Sequence, residues 1–219
     1  MNLESIKILF QDESVTVCIK PVGVLSEDSQ KEKGIIGILS ELAGKPLHLL
    51  HRLDRNVGGV MVFANNKKSA SILSQAIAQN EFKKEYLLVC DGCPEEKEGV
   101  FEDLLFKDSS KNRSYVVKRM RKGVKSASLE YKVLDTVKGK SLVKVLLHTG
   151  RTHQIRVQFS SRKLCLCGDI KYGSKDRESS SIALSSHKIT FCHPVTKETL
   201  SFESEPDFKI YPWCIFKGE

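Results

Sequence analysis

The feature that most limits how this chain can fold is the apolar run Val60-Met61-Val62-Phe63-Ala64, entered through Gly58-Gly59. It reads as a buried strand that begins at Gly59 or Val60 and ends at Ala64. Just before it lies His51-Arg52-Leu53-Asp54-Arg55-Asn56-Val57, which places one carboxylate between two arginines. Asp54 is therefore expected on the loop leading into a core strand, where a rigid scaffold presents reactive groups. A carboxylate so placed can serve as nucleophile, base or metal ligand, and the loop by itself does not choose. A surface salt-bridge loop would look the same.

Length and charge narrow the classes. A chain of 219 residues with 40% hydrophobic content fits a single globular domain over 1–219 and argues against disorder. The net charge of +8 is concentrated. Between Lys107 and Lys125 stand Lys107, Lys111, Arg113, Lys118, Arg119, Arg121, Lys122 and Lys125, opposed only by Asp108. Such a segment is the footprint of a polyanion binder or, alternatively, a solvated hairpin. The cysteines include Cys90-Asp-Gly-Cys93 and Cys165-Leu-Cys167, but no second pair or His pair follows at zinc-finger spacing. They read as structural thiols, which implies a reducing compartment and no metal. The N-terminus has acidic residues and no long apolar core, so no signal peptide and no membrane span are expected.

Read in order, residues 6–10 and 15–19 form a hairpin, and Lys20-Pro21-Val22-Gly23-Val24 a turn. Ile35, Ile38, Leu39 and Leu42 have helical spacing over Gly34–Ala43, with Pro46 as the stop. Asn65 or Asn66 caps a helix running to about Gln79, with Ala70, Leu73, Ala76 and Ile77 on its apolar face. A strand over 85–90 follows and carries Tyr86. Strands with turns at Lys111-Asn112, Lys122-Gly123 and Lys138-Gly139 fill 99–149, most clearly at 127–135 and 141–148. For 152–161 the alternation of Ile155, Val157 and Phe159 says strand, whereas a cap at Thr152 with Ile155 and Phe159 says helix. Gly168–Gly173 is a turn with two positions open to positive φ. Two last strands, near 182–192 and 198–203, are broken by His193-Pro194.

Taken together these motifs resemble the RluA-type RNA pseudouridine synthases. The resemblance rests on His51-Arg52-Leu53-Asp54-Arg55 with Gly59–Ala64, on Lys83-Lys84-Glu85-Tyr86, and on Gly150-Arg151-Thr152-His153-Gln154-Ile155-Arg156-Val157. Gly168-Asp169-Ile170-Lys171-Tyr172-Gly173, His193-Pro194-Val195-Thr196 and Lys20-Pro21-Val22-Gly23 complete the order, over roughly residues 10–208. Two departures stand out. Asn56-Val57-Gly58 replaces the family's acidic residue and Thr-Ser, and Gln158 stands where His is common. Many members carry a small N-terminal S4-like RNA-binding domain, whereas this chain is expected to be the catalytic domain only.

The resemblance implies an α+β fold of the pseudouridine synthase type, a mixed and mostly antiparallel central sheet with flanking helices and loops, and a helix over 152–161. It implies isomerisation of uridine to pseudouridine in ribosomal or transfer RNA, without cofactor or metal. Asp54 would be the essential carboxylate, attacking C1′ or removing the 2′ proton. Arg151 would be its buried partner, attracting it by roughly 4 kcal/mol at 4 Å and an effective dielectric of 20. Tyr86 would stack on the base and help remove the C5 proton. Arg52 is the candidate to fill the space left by the flipped uridine. His51, Arg55, Lys118, Arg119, Arg121, Lys122, His153, Gln154 and Arg156 are the further candidates for RNA contact. A cytoplasmic monomer is expected. The alternatives are a non-catalytic RNA-binding or RNA-folding protein on the same fold and, more distantly, a metal-dependent hydrolase.

Overall fold

A computed structural model describes residues 6–216. The chain divides into two compact units, Met1–Lys84 with Ser185–Glu205 and Glu85–Leu184 with Pro206–Glu219. It passes from the first to the second, returns at Ser185 and enters the second again at Pro206.

The first unit is organised on the apolar run. Its strands are β1 (Lys7–Gln11), β2 (Val15–Lys20), β3 (His48–Leu49), β4 (Gly58–Ala64), β10 (Leu184–Cys192) and β11 (Thr199–Glu203). Their order is β1-β2-β4-β10, with β3 also on β4 and β11 on β10. All seven residues of β4 are buried. A strand covered on both faces needs apolar side chains at every position, which is why the run does not alternate. β4 pairs antiparallel with β2, Val15 opposite Ala64 and Lys20 opposite Gly59, and parallel with β10 through Ser185–Gly58 and Ser186–Gly59. Val15, Val17, Val60, Val62, Leu73, Phe82, Ile189 and Phe191 form the core.

Helix α1 (Ile35–Ala43) buries Ile35 and Leu39, but Leu42 is exposed, so the expected apolar face is shorter than its spacing. Its stop is Gly44 in the left-handed region at φ 63°, two residues before Pro46. Helix α2 (Lys67–Ala78) starts as expected, with the Asn66 side chain accepting from Ser69 N at 2.8 Å.

Gly59 is a position where only glycine fits. Its φ is +114°, and a Cβ there would stand 2.2 Å from the Ser186 carbonyl oxygen, at the β4–β10 pairing. Gly59→Ala is therefore expected to cost on the order of 3 kcal/mol, read as a lower denaturant midpoint in equilibrium unfolding. A midpoint equal to wild type would show that β10 can yield there.

The second unit holds β5 (Lys83–Asp91), β6 (Glu98–Asp108), β7 (Arg113–Val117), β8 (Val124–Val137) and β9 (Lys140–Leu147), in the order β5-β9-β8-β6-β7. The β6–β7, β6–β8 and β8–β9 pairs are antiparallel, as are β1–β2, β2–β4, β3–β4 and β10–β11 in the first unit. The fold is α+β with a mixed, mostly antiparallel sheet arrangement, as the resemblance implies. The turns at Asn112, Gly123, Lys138 and Gly139 all adopt positive φ.

Residues Gln154–Ser161 form helix α3, not a strand, and its cap is His153 at φ 54° rather than Thr152. The alternation misleads because all of Gln154–Phe159 is buried, polar residues included. Buried polar groups need partners, and α3 finds them far away in sequence. Gln158 Nε2 donates to the Phe101 carbonyl at 3.1 Å and Asp103 Oδ2 at 2.7 Å, and Arg156 pairs with Asp169.

Candidate active site

In the first unit Asp54 sits on a loop whose backbone is fixed from both sides. The Ser26 hydroxyl donates to the Leu53 carbonyl at 2.7 Å and accepts from Leu53 N at 3.0 Å. Gly23 N donates to the Arg55 carbonyl at 2.8 Å, and Val57 N to the Asp54 carbonyl at 3.0 Å. Leu53 and Val57 are buried on either side, and Asp54 is half-buried. Val57, one of the departures from the family pattern, thus packs in the interior while Asn56 is exposed.

Beneath this loop lies Lys20, which sequence reasoning treated only as part of a turn. Its side chain is 0% exposed, and its ammonium donates to the carbonyls of Pro21 at 2.9 Å, Val24 at 2.7 Å and Arg55 at 3.3 Å. Burial lowers its pKa to about 8, against which the charge of Asp54 works. A lysine so placed ties turn 20–24 to loop 53–57 and sets a cation near the carboxylate. The signal in the sequence was only the adjacency of Lys20 to Pro21 and Gly23.

The arginines beside Asp54 point elsewhere. Arg52 is exposed and pairs with Glu27 at 2.8 Å, and Arg55 is exposed, pairing with Glu32 at 2.7 Å and donating to the Gly23 carbonyl at 3.0 Å. His51 packs beside Phe82 with ring centroids 5.9 Å apart, and its Nε2 accepts from Val62 N at 3.2 Å. Burial first, and then the charge of Lys84, lowers its pKa to about 3. At neutral pH it is a neutral ring built into the packing of β4, not a surface cation.

In the second unit Tyr86 is a buried residue of β5. Arg151 is half-exposed rather than buried, and its Nε donates to the Ser126 carbonyl at 2.9 Å. The expectation of a buried Arg151 is corrected by this placement: it stands half-exposed in the loop before α3, whereas Arg156 lies within the buried helix. Arg156 is 5% exposed and grips Asp169 bidentately, Nε to Oδ2 at 2.7 Å and Nη2 to Oδ1 at 2.8 Å. Gln154 is also internal. Its amide oxygen accepts from Thr149 Oγ1 at 2.7 Å and Arg151 N at 3.0 Å, and its Nε2 donates to the Ser128 carbonyl at 3.1 Å. Those bonds hold the Gly150 loop, so its role is to shape the motif. His153 Nδ1 meets the Tyr172 hydroxyl at 3.0 Å.

Lys118, Arg119, Arg121 and Lys122 are all exposed at the β7–β8 turn, with Arg121 over the Phe106 ring at 5.1 Å. Among the described residues no group of three or more His, Cys, Asp or Glu could hold a metal ion, and no helix is long and apolar enough to cross a membrane.

Comparison with known proteins supplies the class to which this fold and its carboxylate-bearing loop belong, the RNA pseudouridine synthases. The family model of RNA pseudouridylate synthase matches residues 14–161, and the chain belongs to that family. An uncharacterized RNA pseudouridine synthase of Zymomonas mobilis is 32% identical over 202 residues, covering 88% of this chain and 92% of the relative. An uncharacterized RNA pseudouridine synthase of Bacillus subtilis is 30% identical over 208 residues, 90% of this chain and 67% of its own length. The Haemophilus influenzae ribosomal large subunit pseudouridine synthase C is 29% identical, over 93% of this chain and 66% of its own length. The chain thus spans about two thirds of those last two relatives. Of solved structures, the human RNA pseudouridylate synthase domain containing 4 shares the fold, with a TM-score of 0.75 at 24% identity, over 92% of this chain and 89% of that one.

Proposed function

We propose that this chain isomerises uridine to pseudouridine in a structured RNA, as a cytoplasmic monomer that needs no cofactor. Between ribosomal and transfer RNA, likeness to the Haemophilus influenzae ribosomal large subunit pseudouridine synthase C favours ribosomal RNA. The observation that carries the reading is the loop of Asp54. One half-buried carboxylate is presented by a backbone bonded on both sides, above a buried lysine. Such a rigid mount suits a group that must meet one carbon or one proton in a fixed geometry.

On this reading the uridine leaves its stack at a cost of about a few kcal/mol. Asp54 acts at the sugar, on C1′ or on the 2′ proton, and the N1–C1′ bond breaks. The base turns, C5 bonds to C1′, and the C5 proton is lost while N1 gains one. Tyr86 is assigned to the base and to that proton. Arg52 is exposed and needs only to leave Glu27 to occupy the vacated space. A counter-charge for the chemistry calls for a desolvated guanidinium, and in the Gly150–Val157 motif burial favours Arg156 over the half-exposed Arg151. The remaining assignments to RNA contact are Arg55, His153 and the exposed Lys118, Arg119, Arg121 and Lys122.

Tritium release from RNA carrying C5-labelled uridine is the test. Release is expected, equal with and without chelator, and pseudouridine should accumulate in the RNA. Binding without release would make the chain an RNA-binding protein, and release lost on chelation would make it metal-dependent.

A further inference from the structure

Most arginines of this chain are already engaged. Arg52, Arg55, Arg156 and Arg162 pair with Glu27, Glu32, Asp169 and Asp103, and Arg151 donates to a backbone carbonyl. Of the cations between Lys107 and Lys125, Arg119 and Arg121 are exposed, whereas Arg113 on β7 is half-buried. Its guanidinium lies over the rings of Tyr172 at 5.0 Å and Tyr115 at 5.5 Å. Yet among the described residues its side chain donates to no acceptor and makes no ion pair, and its Nε is buried without a partner.

Its position is fixed by the residue beside it. Ser114 N donates to the Tyr172 hydroxyl at 2.8 Å, and Ser114 Oγ donates to the Thr152 carbonyl at 2.6 Å. The basic strand is therefore bolted to the Gly150–Val157 motif, not suspended as a solvated hairpin. Tyr172 also carries the Arg156 guanidinium at 5.0 Å, so two cations share one ring. The carboxylate beside them, Asp169, is taken bidentately by Arg156. A guanidinium offers about five N–H donors in a planar fork matched to phosphate, and stacking on tyrosine fixes the plane of that fork in advance.

We propose that Arg113 is a built phosphate site: its stacked guanidinium takes one backbone phosphate of the RNA substrate, beside the Gly150–Val157 motif. The site rests on the reading of RNA as the substrate and adds to it the anchoring residue within the basic segment. Arg119, Arg121 and Lys122 contribute the diffuse field around it.

The experiment measures binding of two fluorescein-labelled ribosomal RNA stem-loops that differ in loop sequence, across a salt series. It uses wild type, Arg113→Gln, Arg113→Lys and the triple variant Arg119→Ala, Arg121→Ala, Lys122→Ala, each with its melting temperature. Arg113→Gln is expected to bind both RNAs about tenfold more weakly and to lower the salt slope by roughly 0.7–0.9, one phosphate contact. Arg113→Lys should restore the slope but not the affinity, because a point charge lacks the fork.

An unchanged slope in Arg113→Gln overturns the site, as does an Arg113→Lys that binds as wild type. If Arg113→Gln does not fold, Arg113→Lys decides, since it keeps the charge and the stem. A purely structural stack predicts a lower melting temperature with an unchanged slope. Normal tritium release with an unchanged slope removes this site and leaves the enzyme. A lowered slope with no release by the wild type removes the enzymatic reading and leaves the site.

Discussion

Asp54→Asn and Asp54→Ala are expected to lose pseudouridine formation by at least about a hundredfold, or roughly 2.7 kcal/mol of transition-state stabilisation. The protein should stay folded and continue to bind RNA. The loop's backbone has supports of its own. Ser26 holds Leu53, Gly23 and Lys20 hold the Arg55 carbonyl, and Leu53 and Val57 are anchored in the interior. Asn is nearly isosteric and keeps an acceptor oxygen, but it cannot attack a sugar carbon or take a proton. The measurement is single-turnover tritium release with saturating enzyme, alongside RNA affinity and thermal melting. Turnover above a tenth of wild type in Asp54→Ala would remove Asp54 from its assigned role. A collapse in melting temperature would mean that the carboxylate is structural.

How much of this was legible in the residues depended on where each side chain finds its partner. The strand Gly58–Ala64, the Asn66 cap and the glycine turns were readable because their causes are local: an unbroken apolar run, a side chain reaching three residues on, a positive φ. Helix α3 was not readable from periodicity. Arg156 and Gln158 look like solvent-facing positions until Asp169 and Asp103 are brought to them by the fold. The end of α1 at Ala43 was readable, but its cause was not: Gly44 in the left-handed region makes the cap, whereas Pro46 is the louder signal. Lys20 was missed as a support because a lysine beside a proline reads as a surface turn. Its burial requires three carbonyls, one of them 35 residues away. The same rule accounts for the two arginines of the Gly150–Val157 motif: the resemblance implied a buried Arg151, whereas the fold buries Arg156 against Asp169.

That reversal yields the second large effect. Arg156→Ala should destabilise the protein by about 3–5 kcal/mol, because it strands Asp169 at 1% exposure without its bidentate partner. At roughly 2–4 °C per kcal/mol for a chain of this size, the melting temperature should fall by about 10 °C. The Tyr172 ring would also lose one of the two guanidiniums above it, which loosens the support of Ser114 and His153. Arg151→Ala loses one donated bond from a half-exposed side chain to the Ser126 carbonyl, a change worth about 1 kcal/mol. Arg156→Lys separates charge from geometry, since an ammonium restores the cation but cannot bridge both oxygens of Asp169. It should recover part of the stability and little of the activity. Equal melting temperatures for Arg151→Ala and Arg156→Ala would show that the Asp169 pair contributes no net stability. A fully active Arg156→Ala at a temperature where it is folded would limit that arginine to scaffolding and return the counter-charge role to Arg151.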